Sequence, residues 1–174
     1  MRGVAATLRA LHDGERRLEQ ELLAVAERHR ADHEVHHVAV DVARWSGEHA
    51  RRIAEAARDH GLDLSDPAPA PAGALAAASA PGPAHLPGEE PAPALGALGH
   101  RPEPGLLLLN DLRDLHLAAT ANSLHWEMLA QVAQATGDTA LLALAGDCHP
   151  ETLRQLRWTN TLVKTLAPQL LGSI

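Results

Sequence analysis

The sequence predicts an all-α fold, a single-domain four-helix bundle of two antiparallel helical hairpins, and three observations carry the prediction. Ala and Leu supply roughly a third of the 174 residues while Phe and Tyr are absent, a composition that favours helix over a sandwich or barrel. Ten of the twelve prolines fall between Gly61 and Gly105, which divides the chain into two long segments around a Pro/Ala-rich crossover, residues 61–105. In both segments apolar residues recur at alternating spacings of three and four, the period of a bundle helix.

The first helix, residues 3–30, carries the seam Val4, Leu8, Leu11, Glu15, Leu18, Leu22, Val25 and His29. The second, 32–60, carries Val35, Val38, Val42, Trp45, His49, Ile53 and Ala56, and Gly61 is its natural stop. In the crossover, only the Ala-rich stretch 72–80 has the composition for a turn or two of helix. The third helix, 106–136, reads Leu108, Leu112, Leu115, Ala119, Asn122, Trp126, Leu129 and Ala133. Gly137 and Asp138 turn the chain into the fourth, 138–167, whose seam is Leu142, Ala145, His149, Thr152, Leu156, Thr159, Val163 and Leu166, with Glu151 toward solvent. Pro150 either kinks this helix or breaks it after Gly146 and starts a new first turn. An extended crossover of this length reaches past the end of a 45 Å helix, so the second and third helices can run parallel beneath a strap, as about 3.3 Å per residue allows.

Two hairpins with a long central crossover, together with the run HDGERRLEQELLAVAERH in the first helix and WSGEHARRIAEAARDHG closing the second, resemble the ferritin-like superfamily. The resemblance implies a bundle whose interior holds a di-iron centre, with one Glu on each of two helices and a Glu-x-x-His on each of the other two. It also implies iron or redox handling in bacteria.

Each inward seam has one polar interruption near its middle: Glu15, His49, Asn122 beside Ser123, and His149. Antiparallel partners across a tight turn have residue numbers of constant sum, which puts Glu15 opposite about position 47, close to His49, and His149 opposite about position 125, near Asn122 and His125. One reading is a single divalent transition metal, Fe or Zn, on Glu15, His49 and His149, with His12, Asn122, His125 and Cys148 as supporting groups or extra ligands. The other is a non-catalytic structural or interaction bundle in which these side chains form a buried polar layer that fixes register. One inward carboxylate in place of four disfavours a standard di-iron oxidase or ferroxidase. The literal Glu-x-x-His, Glu34 to His37, belongs to the charged outer stripe, and His33 with His37 makes at most a surface pair. Gly14, Gly47 and Gly146 lie at the same height, either for close packing or to leave room for a small ligand. A carrier of a small apolar ligand between the hairpins is a third reading.

A formal charge of -7 argues against a nucleic-acid groove or an anionic membrane surface as partner. The longest purely apolar run, Leu106 to Leu109, is far too short to span a bilayer, and a soluble cytoplasmic protein is expected. Cys148, the single cysteine, excludes an intrachain disulfide. Leu106, Leu107, Leu108 and Leu109 point around the whole circumference of the third helix, and burying the surplus against a second copy predicts a homodimer.

Overall fold

A computed structural model describes residues 2–64 and 103–172 and shows four helices and, among those residues, no strand. They are α1 (Arg2–Arg28), α2 (His33–Asp59), α3 (Pro104–Thr136) and α4 (Thr139–Leu171). The crossover, with its stretch 72–80, lies outside the described residues.

The helix ends follow from local chemistry. The Asp32 carboxylate accepts the Val35 N–H and the Asp138 carboxylate accepts the Leu141 N–H, so the first turns of α2 and α4 are both capped by a side chain. Gly61 and Gly137 both adopt φ 71°, the left-handed conformation that closes a helix at low cost only in glycine. α3 starts at Pro104, two residues earlier than the leucine run suggests, because proline in a first turn has no N–H to satisfy. α4 is continuous through Pro150 and extends through Pro168 to Leu171, which overturns a break and restart after Gly146.

The helices pack as a ring: α1 lies against α2 and α3, α4 lies against α2 and α3, and the backbones of the diagonal pairs stay apart, so that only side chains meet across the middle. Moving along α1 from Gly14 to Arg28 moves its neighbour on α3 from Asn122 back to Asp111, where Arg28 and His29 bind the carboxylate at 2.6 and 2.7 Å. On α2 the step from Ser46 to Arg52 moves the partner on α4 from Gln155 back to Asp147.

Two apolar clusters form the core. One holds Leu8, Leu11, Ile53, Trp126, Leu129 and Leu141, and the other holds Leu18, Leu22, Val42, Leu108, Leu112 and Leu115. Between them, on every helix, lie buried polar residues: Glu15 on α1, Ser46 and His49 on α2, Asn122 and Ser123 on α3, Thr152 and Gln155 on α4. The bundle therefore has a polar layer across its middle, with oily compartments at each end.

Candidate functional site

Glu15 and His49 meet in this layer and are essentially excluded from solvent, at 0% and 1% exposure. The Trp126 indole N–H donates to Glu15 Oε1 at 3.0 Å, and its ring stands edge-on to the His49 imidazole with centroids 5.7 Å apart. His49 Nδ1 lies 3.4 Å from the same Oε1, an ion-pair distance without hydrogen-bond geometry. On the other side of the ring, Nε2 is 2.9 Å from Glu151 Oε2. One imidazole on α2 thus faces carboxylates from α1 and α4, while α3 supplies the indole donor.

The electrostatics favour a held proton. Burial alone would push the His49 imidazolium below its ordinary pKa, but Glu15 and then Glu151 outweigh that cost, and the group is held above 6.5. An imidazolium donates from both nitrogens, which suits a ring with a carboxylate at each end. Neighbouring Cys148 is buried, with its thiol pushed up to about 12 by desolvation, so it stays protonated and is a poor nucleophile or metal ligand.

A second, neutral node lies one turn away. Gln155 donates from Nε2 to the Val42 carbonyl at 3.0 Å and to Ser46 Oγ at 2.9 Å, joining α4 to α2 inside the core. Further along, Thr159 pairs with His116 Nδ1 at 2.9 Å. The helical glycines have explicit neighbours. A Cβ at Gly14 would collide with the Asn122 amide, and one at Gly47 with the Glu19 carboxylate, so both positions admit side chains of adjacent helices. Gly146 meets nothing and serves no such purpose.

Of the residues singled out from sequence, Glu15 and His49 come together. Asn122 is buried against Gly14, with its Nδ2 unpartnered. His149 is only half-buried and its Nε2 pairs with Ser123 Oγ at 2.8 Å, while Cys148, Thr152 and Gln155 take the inward positions of α4. The orientation expected for Glu151 is wrong: its outer oxygen side is partly solvated, yet Oε2 reaches inward to His49. α4 is rotated by about one residue from the seam read in its sequence, and that rotation exchanges the partners. His12, itself largely covered, pairs with its exposed neighbour Asp13, and His125 is half-buried with an unpartnered Nδ1. The His33 and His37 rings meet at a tilt of 57° with centroids 4.1 Å apart on the exposed face, with Glu34 beside them in the solvated stripe. Thr152 is buried as its place in the seam predicts, whereas Ser46 and Gln155 were missed from sequence. Their signal is the spacing three residues apart of Ser46 to His49 and of Thr152 to Gln155.

Unpartnered buried atoms concentrate in the layer, at Glu15 Oε2, His49 Nδ1, Asn122 Nδ2, Thr152 Oγ1 and Gln155 Oε1. The donor set does not fit a di-iron centre, which needs four carboxylates and two imidazoles where, among the described residues, one fully buried carboxylate and one fully buried imidazole are present. Among the described residues, no three His, Cys, Asp or Glu side chains are grouped so as to hold a metal ion. No helix among the described residues is long and apolar enough to cross a membrane. No family model, curated protein or solved structure matches the chain.

Proposed function

We propose that the chain is a ferritin-like bundle whose interior ligand positions have become a proton-holding polar layer, and that it serves as a non-catalytic structural and interaction module. The pattern of the layer supports the ferritin-like reading: one residue on α1, the adjacent Asn122 and Ser123 on α3, and pairs three apart on α2 (Ser46, His49) and α4 (Thr152, Gln155), the spacing of the family's Glu-x-x-His positions. The falling residue numbers across α1–α3 and α2–α4 support antiparallel neighbours within and between hairpins. That arrangement makes α2 and α3 parallel and requires a crossover running the length of the bundle. On this reading the module works in the cytoplasm of a bacterium, the bacterial association being what the resemblance implies, and its partner is a second copy of itself.

The observation that carries the conclusion is His49, whose ring faces carboxylates on two different helices, with Nε2 hydrogen-bonded to Glu151 and Nδ1 at ion-pair distance from Glu15. A proton there neutralises one of the two facing charges and ties the hairpins together, a role in register and stability with no substrate in it. Metal analysis of tag-free protein after reconstitution with Zn or Fe should show no stoichiometric ion, and NMR should place the His49 titration above 6.5. Stoichiometric metal that disappears in His49→Ala would overturn it.

A second reading has one observation in its favour. Glu15 Oε2 and His49 Nδ1 are both buried and unpartnered, while Glu151 is placed to take the Nε2 proton, the arrangement that orients an imidazole toward a metal. On that reading Glu15 and His49 hold one divalent Fe or Zn, which would supply Lewis acidity to the layer, and the same metal analysis decides between the two.

A further inference from the structure

α3 is apolar on two faces. Its inner seam from Leu108 to Ala133 is buried throughout, but Leu117, Leu124 and Met128 on the opposite side are 60%, 56% and 57% exposed. With Ala121 they fall at spacings of four, three and four, the repeat of a helix–helix seam. The surplus expected at Leu106 to Leu109 is not there: Leu108 is buried and the other three are half-buried. Shallow grooves flank the outer seam, one bounded by Leu117, Asn160 and Val163 and another by Leu124, Met128 and Val132.

We infer that this outer face of α3 docks on the same face of a second copy, the two α3 helices crossing antiparallel about a two-fold axis near Thr120 and Ala121. The inference rests on the reading of the chain as a self-associating module and names its surface. The charges make the face self-complementary. Arg113 and Glu127 lie seven residues to either side of Thr120, two helical turns each way, so a two-fold axis there brings each Arg113 beside the partner's Glu127. The same axis places Leu117 on the partner's Leu124, and the small side chains of Thr120 and Ala121 at the crossing permit close approach. Glu127 has no ion-pair partner among the described residues, and Arg113 holds only its exposed neighbour Asp114. By contrast, the outer face of α2 is laced with internal ion pairs, Arg51 with Glu48 and Glu55 and Arg44 with Asp41, and leaves little apolar area for a partner.

Light scattering on the full chain at micromolar concentration should give twice the 18.5 kDa chain mass, and Leu124→Glu should give the single mass with helical circular dichroism retained. Arg113→Glu or Glu127→Arg alone should weaken the dimer about tenfold, and the two together should restore it, because the pairs re-form with sign reversed. Ala121→Cys should cross-link under mild oxidation, whereas the wild-type chain, whose one thiol is buried, should not. A monomeric wild type would overturn self-association itself. A dimer that survives Leu124→Glu, or that the double charge exchange fails to restore, would overturn this surface and leave self-association standing.

Discussion

The node around His49 pairs an imidazole with carboxylates and draws on all four helices: Glu15, His49 and Glu151, with the neutral Trp126 indole as donor. In the node around Gln155, one turn along the bundle, the polar groups are neutral and join only α2 to α4. Both interrupt an oily core, the first with its Glu151 edge partly solvated and the second fully covered, and they stabilise it on different terms. A neutral amide costs little to bury once its N–H groups are bonded, and little is lost if an apolar side chain of similar shape replaces it. A carboxylate excluded from water is tolerated only because a proton-bearing partner and an indole N–H face it, so removing any one member strands the rest. Charge therefore makes the first node the more specific clamp and the more fragile one.

Deleting the carboxylate breaks the comparison most severely. Glu15→Ala leaves the Trp126 N–H without its acceptor and the buried imidazolium with one counter-charge, and should cost about 3–5 kcal/mol in denaturant unfolding. A loss under about 1 kcal/mol would show that the charged node carries no more than the neutral one. Trp126→Phe keeps most of the ring and deletes only the donor, so it should cost about 1–3 kcal/mol. Its equilibrium m-value should be unchanged.

The proton itself gives the next effect in size. Because the folded chain binds the His49 proton more tightly than the unfolded chain does, the contribution is fully present below about 6.5, the ordinary value, and is lost as pH rises through the raised folded value. Stability should fall over that interval by at most about 1.4 kcal/mol per pH unit, the limit for one proton. His49→Gln should flatten this part of the profile, and an unchanged slope in that variant would assign it elsewhere. The neutral node should respond least. Gln155→Met removes two hydrogen bonds together with an unpartnered Oε1, and its stability should stay within about 1 kcal/mol of wild type with no new pH dependence.

How far the sequence reached differs from helix to helix. Every residue of the α3 inner seam read from spacing is buried, and Glu15 sits where an apolar seam breaks, because helix periodicity is local and α1 and α3 each carry a clear inner stripe. α4 is weakly patterned, with Leu141, Leu142 and Leu144 offering several faces, so spacing could not set its rotation to within one residue. That single residue decides whether His149 or Glu151 reaches His49. Ser46 and Gln155 lay hidden for a related reason, since a neutral polar side chain within two residues of charged ones, Arg44 and Glu48 or Arg154 and Arg157, looks solvated until a neighbouring helix covers it.

The sequence by itself determined the four helices, their capped starts at Asp32 and Asp138, their glycine stops and the height at which polar residues enter the core, all consequences of interactions within a turn or two of chain. Only the tertiary structure decided that Glu15 and Glu151 share one imidazole, that Asn122 fills the space beside Gly14, and that α3 keeps an apolar face turned outward. Those outcomes depend on which helices adjoin and how each is rotated, and rotation is fixed by packing summed over the whole bundle rather than by any local pattern.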